Sequence, residues 1–171
     1  MRSLIIMKRN RKIVTNYIAQ GAMIAAAYVA LTVAFAPFSF EEIQVRIAEA
    51  LTILPVFTPA AVPGLTVGCL LGNILGGAVA ADVIFGTLAT LIGAVGTRML
   101  RNRDPVLAVI PPIAANMLIV PFVLRYAYGI ILPVPVMMLT VGIGETISCG
   151  VLGVLLYKAL SAQRKSIFKS D

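Results

Sequence analysis

Histidine is absent from this 171-residue chain, and cysteine occurs only twice. Without histidine the chain cannot form a Ser–His or Cys–His catalytic pair or a zinc site with imidazole ligands. Cys69 and Cys149 lie in apolar stretches far apart in the sequence, so we interpret them as small buried hydrophobic residues rather than as a disulfide. No G-x-x-x-x-G-K-[ST] phosphate loop is present, which excludes the usual form of ATP hydrolysis. The sequence therefore predicts neither an enzyme nor a cofactor of its own.

Charged residues are also scarce. They make up 12% of the chain, whereas hydrophobic residues make up 60% and the mean hydropathy is +0.98. A soluble domain carries about 25% charged residues and about half apolar ones. The composition therefore predicts a one-domain integral membrane protein whose surroundings are a lipid bilayer.

The net charge of +7 comes from basic residues that are grouped rather than dispersed. One group lies at 2–12, a second at 98–103 and a third at 158–169, and only Arg46 and Arg125 fall elsewhere. Each group adjoins an apolar segment, which is the pattern of the positive-inside bias. We interpret the basic residues as a sign of orientation, with both termini in the cytoplasm, and not as a nucleic-acid surface.

Apolar segments occur at 17–37, 47–60, 64–81, 82–100, 105–124 and 133–160. A helix needs about 20 mostly apolar residues to cross a bilayer. The second segment is shorter and contains Pro55 and Pro59, so we expect a short or bent half-span. The fifth should kink near Pro111 and Pro112. We predict an all-α protein of the cell membrane with a basic cytoplasmic N-terminus at 1–16, a six-helix transmembrane domain at 17–160 and a basic cytoplasmic tail at 161–171.

The stretch FSFEEIQVRIAEA at 38–50 brings three acidic residues and an arginine into this apolar sequence. Arg46 and Glu49 are three positions apart and would share one face of a helix. They could neutralise each other at the outer interface, or they could face a cavity with Gln44 and bind a polar ligand. The spacing alone leaves both possibilities open.

Four other polar residues lie in or beside apolar segments: Asn73, Asp82, Asn116 and Glu145. Polar groups within a membrane are costly and mark functional positions. Asp82 is well placed to cap the helix that follows it, while Asn73 and Asn116 could form hydrogen bonds between helices. Glu145 has no basic residue within twelve positions, so we expect it to face a water-filled cavity.

Ala22, Ala26 and Ala30 recur every four residues in the first segment. A stripe of small residues allows close approach of another helix, since helices in lipid associate through packing rather than hydrophobic burial. The stripe could pack within the protein's own bundle or could dock another membrane subunit.

Four ordered motifs resemble the QueT family, the substrate-binding (S) components of energy-coupling factor (ECF) importers for queuosine precursors. They are IQVRIAEALTILP at 43–55, PGLTVGCLLGNILGG at 63–77, DVIFGTLATL at 82–91 and GE at 144–145, and the resemblance extends over about 20–156. It implies a six-helix S-component bundle whose alanine stripe docks on a transmembrane coupling subunit. That subunit would work with two cytoplasmic ATPases.

The resemblance further implies a 7-deazaguanine ligand, such as queuine or its aminomethyl precursor. The family's polar signature falls on Gln44, Arg46, Glu49, Asn73, Asp82, Asn116 and Glu145. At Thr146 and Gly150, expected in the cavity wall, the family pattern would have bulkier apolar or aromatic residues. An S component for another vitamin or purine-like compound, and a stand-alone proton-coupled carrier, are the alternatives.

Overall fold

The computed structural model describes residues 2–35 and 46–163, with side chains described from residue 11 onward. Gln44, the N-terminal part of the 38–50 stretch and the tail beyond 163 lie outside the described residues. Within the described ranges every regular element is a helix. In chain order these are α1 (Arg2–Ala34), a 3₁₀ helix (Ile47–Val56), α2 (Ala61–Leu75), α3 (Ala80–Met99), α4 (Pro105–Ala108), α5 (Ile110–Tyr126), α6 (Val134–Glu145), a π-helical segment (Thr146–Leu152) and α7 (Gly153–Ala162).

Four stretches of the described chain are long and apolar enough to cross a bilayer, judged by length and composition. They are Arg11–Ala34, Ala80–Met99, Pro105–Tyr126 and Val134–Ala162. The 3₁₀ helix and α2 are apolar but shorter. The protein is thus an all-helical membrane protein, while the six-span count and the cytoplasmic termini stay predictions.

Glycine and proline determine where the short helices end. The 3₁₀ helix contains Pro55, and it corresponds to the expected half-span. Helix α2 ends at Leu75, earlier than the predicted boundary at residue 81, because Gly76 and Gly77 follow it and Gly77 has a φ of +78°. That backbone conformation is available to glycine at little cost.

The fifth segment breaks at Val109, next to the predicted kink. A single helical turn, α4, is capped by Asp104, whose Oδ1 accepts a hydrogen bond of 2.8 Å from the Val106 N–H. Helix α5 then begins with Pro111 and Pro112 in its first turn. Proline is tolerated there because the first turn has no intrahelical partner for its N–H groups.

The sixth segment changes from α-helix to π-helix in the middle, which sequence patterns did not predict. A π-helical segment at Thr146–Leu152 joins α6 to α7 directly after Glu145. Such π turns inside α-helices are rare and occur often at functional sites. The change of winding therefore draws attention to Glu145 and the residues after it.

Helices α1 and α2 pack closely through glycine. A Cβ atom at Gly68 would lie 2.8 Å from Cβ of Tyr28, and one at Gly64 would lie 2.7 Å from the Gly21 carbonyl oxygen. These distances are too short for any side chain, so glycine permits the backbones to approach. The 3₁₀ helix lies inside the bundle, with Thr52 and Ile53 fully buried.

The alanine stripe points away from this contact. Ala22, Ala26 and Ala30 are exposed, whereas Ala25 and Tyr28 on the other side of α1 are buried. The stripe is therefore not buried against the described part of the bundle, and docking of another subunit on it stays a prediction. The stripe is available to another surface.

Candidate functional site

An ion pair links the start of the 3₁₀ helix to the first turn of α3. Nη2 of Arg46 lies 2.9 Å from Oδ2 of Asp82, and the two residues are 5% and 0% exposed. Two expectations are corrected by this pair. Among the described residues Arg46 forms its salt bridge with Asp82 rather than with Glu49. Asp82 does not cap α3, because that helix begins after Val79 and has no side-chain cap. The attraction of the guanidinium directs the Asp82 carboxylate into the bundle.

Two further side chains surround Asp82. The hydroxyl of Tyr128 donates to Oδ2 of Asp82 at 3.2 Å, and the same hydroxyl accepts from the Val79 N–H at 3.4 Å. Nδ2 of Asn73 donates to the Asp82 backbone carbonyl at 3.3 Å, which is the hydrogen bond between helices considered for Asn73. Oδ1 of Asp82 has no hydrogen-bond partner in the described part of the chain.

A second group of acidic and thiol side chains lies beside the ion pair. One donor atom from each of Glu49, Glu145 and Cys149 lies within 4.8 Å of the others. The Cys149 thiol donates to Oε2 of Glu145 at 3.2 Å, and the Tyr28 hydroxyl donates to Oε1 of Glu49. Oε2 of Glu49 has no hydrogen-bond partner among the residues described. Two carboxylates and a thiol at this spacing could hold a cation, including a metal ion such as Zn²⁺.

Helix α5 and the π-helical segment complete the cluster. Asn116 is 3% exposed, and its Nδ2 atom has no hydrogen-bond partner within the described ranges. The hydroxyl of the fully buried Ser148 also has no partner there. Unsatisfied buried polar atoms are uncommon in folded proteins, so their concentration here marks this cluster as the candidate site.

The structure therefore brings six of the seven predicted site residues into one buried region. These are Arg46, Glu49, Asn73, Asp82, Asn116 and Glu145. Sequence reasoning missed Tyr28, Tyr128, Ser148 and Cys149. A signal was available for the last two, because they follow Glu145 by three and four positions and so share its face of a helix. Both cysteines are free and buried, as predicted.

The expected cavity wall is corrected. Glu145 is 2% exposed and enclosed by protein, and three apolar surface grooves found among the described residues do not include it. Thr146 does not line the cluster. It is exposed and borders a groove with Ile113 and Met117, because it is turned by about 100° from Glu145 along the helix.

The comparisons with known proteins identify a family. A model of the QueT transporter family matches residues 18–162, a range that includes the whole cluster and the alanine stripe. No curated protein and no solved structure matches the chain. With a family match over most of its length, the chain belongs to the QueT transporter family.

Proposed function

We propose that this chain is the substrate-binding (S) component of an ECF importer in a bacterial plasma membrane. It captures a queuosine precursor, a 7-deazaguanine base, from outside and delivers it inward with a transmembrane coupling subunit and two cytoplasmic ATPases. The chain catalyses no reaction and needs no cofactor, since ATP is used by its partners. The observation that carries the proposal is the set of unsatisfied polar atoms buried together in a member of a transporter family.

Those atoms complement the edge of a deazaguanine base. Such a base presents N–H donors along one edge and a carbonyl acceptor beside them. Oε2 of Glu49 and Oδ1 of Asp82 are vacant acceptors, and Nδ2 of Asn116 is a vacant donor, within the described chain. Each buried group left unsatisfied costs about 1–3 kcal/mol, and a ligand that pairs them recovers that free energy.

The charge of the cluster favours a ligand that carries an ammonium group. Arg46 neutralises Asp82, whereas Glu49 and Glu145 lie close together and are bonded to hydroxyl and thiol groups rather than to a described basic side chain. Buried charges need a partner of opposite sign. The aminomethyl arm of a precursor would supply it, so we assign the base edge to Glu49, Asp82 and Asn116 and the arm to the Glu49–Glu145 pair.

The position of the cluster along α3 supports capture from outside. Asp82 lies in the first turn of α3 and Arg98 in its last turn, a separation of about 24 Å at 1.5 Å per residue. Arg98 begins a basic group, and basic groups favour the cytoplasmic side. The cluster then lies toward the external surface, near the turns that precede α3 and follow α5.

Calorimetric titration of the purified protein tests the ligand assignment. We expect tight binding of the aminomethyl deazaguanine, weaker binding of guanine and no binding of an unrelated vitamin. Glu145→Gln should weaken binding of the aminomethyl base at least about tenfold, the scale of a hydrogen bond to a charged group. Asp104→Asn removes an exposed acid outside the cluster and should leave the ligand Kd unchanged. Folded protein that binds no deazaguanine would overturn the substrate assignment.

The docking claim is tested separately with two leucine variants of α1. Ala26→Leu adds bulk to the exposed stripe and should spare ligand binding while stopping uptake in cells. Ala27→Leu is the matched control, because Ala27 is equally exposed but lies off the stripe. Normal uptake by Ala26→Leu would contradict docking through this face.

A further inference from the structure

Tyr28 connects helix α1 to the polar cluster. Its ring is 1% exposed, and its hydroxyl donates to Oε1 of Glu49 in the 3₁₀ helix. The other carboxylate oxygen, Oε2, has no hydrogen-bond partner in the described residues. Because a hydrogen bond to Oε1 restricts rotation of the carboxylate, Tyr28 determines the direction in which Oε2 points. A binding site requires such support for the groups that contact its ligand.

The same helix carries the alanine stripe on its opposite side. Tyr28 lies two positions from Ala26 and from Ala30, and at 100° per residue this places its side chain about 160° from theirs. The burial pattern agrees, since Tyr28 is buried and both alanines are exposed. One rigid helix therefore touches the cluster on one face and presents small residues on the other.

The glycine contact with α2 keeps α1 at the distance that this bond requires. A Cβ atom at Gly68 would meet Cβ of Tyr28 at 2.8 Å and Cα of Ala25 at 3.1 Å. The helices are thus in contact directly beside Tyr28. The two backbones are already in contact at Gly68. A displacement of α1 relative to the rest of the bundle would therefore move the tyrosine hydroxyl away from Glu49.

We propose that Tyr28 is a positioning residue that orients Glu49 for the ligand. This inference rests on the proposed function, because it takes Glu49 as a ligand-binding group. Without the tyrosine hydroxyl the Glu49 carboxylate loses the hydrogen bond that fixes its orientation, and the affinity for ligand falls.

The positioning role is tested by titrating the purified full chain with the aminomethyl deazaguanine. Tyr28→Phe, which keeps the ring and removes the hydroxyl, should weaken binding by about 10-fold to 100-fold. The double variant Tyr28→Phe/Glu49→Gln should bind no more weakly than Glu49→Gln alone, because Tyr28 acts through Glu49. Tyr126→Phe removes an exposed hydroxyl and is the control. An unchanged Kd for Tyr28→Phe, or additive losses in the double variant, would overturn the inference.

Failure of this inference can be told apart from failure of the proposed function. A wild type that binds the deazaguanine while Tyr28→Phe binds it equally well would overturn the positioning role and leave the S-component function standing. A folded wild type that binds no deazaguanine would remove both.

Discussion

At the scale of single residues, the Arg46–Asp82 pair determines whether the cluster can stay buried. Each residue is almost wholly removed from solvent, and the pair is in direct contact at 2.9 Å. Burial of a lone charge is strongly unfavourable, and contact with the opposite charge offsets that cost. The pair is therefore a condition for the site's structure as well as a feature of its chemistry.

Removing one partner should be more damaging than removing both. Arg46→Gln leaves Asp82 buried without its countercharge and should lower the free energy of unfolding by about 3–5 kcal/mol. The double variant Arg46→Gln/Asp82→Asn should recover most of that stability and still fail to bind ligand. Thermal or denaturant unfolding in detergent measures the first effect, and titration the second. If the single and double variants were equally stable, the pair would not have this role.

The identity of the polar residues could be predicted from sequence, but not their partners. Glu145 and Asp82 attract notice because ionisable groups are rare in apolar segments. Arg46 and Asp82 are 36 positions apart, and local spacing instead suggested the neighbouring Glu49. Tyr28 gave no signal, since a tyrosine in an apolar helix has many ordinary explanations. Only the packing of α1 on α2 brings its hydroxyl to Glu49.

At the scale of elements, the glycine contact between α1 and α2 restrains the distance between the two helices. Gly68→Ala should destabilise the protein by about 1–3 kcal/mol, the usual cost of overpacking, and should weaken ligand binding by displacing Tyr28. Gly150→Ala is the control, because its Cβ would meet Cγ2 of Thr146 at an ordinary 3.5 Å. Unfolding and titration of both variants check this. If Gly68→Ala and Gly150→Ala had the same free energy of unfolding and the same ligand Kd, the α1–α2 distance would not be restrained by Gly68.

Helix boundaries followed from sequence where proline specifies them, whereas the end of α2 at Gly76 and Gly77 was predicted too late. Pro55 marked the second segment as short, and Pro111 lies just after the break in the fifth. The π-helical segment after Glu145 had no such marker. An insertion of this kind depends on tertiary packing around the helix rather than on a residue type, which is why periodicity did not indicate it.

At the scale of the whole molecule, the short central helices explain how a polar cluster fits into an apolar bundle. The 3₁₀ helix has ten residues and α2 has fifteen, which gives lengths of about 20 Å and 22 Å. The hydrocarbon core of a bilayer is about 30 Å thick. Neither helix fills that thickness, and their polar residues Glu49 and Asn73 are buried together with Asp82 of α3. Pro55 marked the first of these helices as short, whereas composition gave no sign of it, because both segments are as apolar as the long helices.

Dependence on partners separates an S component from a self-sufficient carrier. Cells that contain this protein but lack the coupling subunit and ATPases should accumulate no labelled deazaguanine above background, because the proposed importer takes its energy from ATP and the chain has no G-x-x-x-x-G-K-[ST] phosphate loop. Restoring the partners should restore uptake. Accumulation that persists without them, and that collapses with the proton gradient, would favour the carrier that uses its intramembrane acids for proton coupling.

The most direct test of the central claim is an experimental structure of the full chain with the aminomethyl deazaguanine at saturating concentration. We expect the base within hydrogen-bond distance of Oε2 of Glu49 and Nδ2 of Asn116, with its ammonium group between Glu49 and Glu145. A ligand bound in one of the apolar grooves, or a cluster unchanged and without ligand, would contradict it.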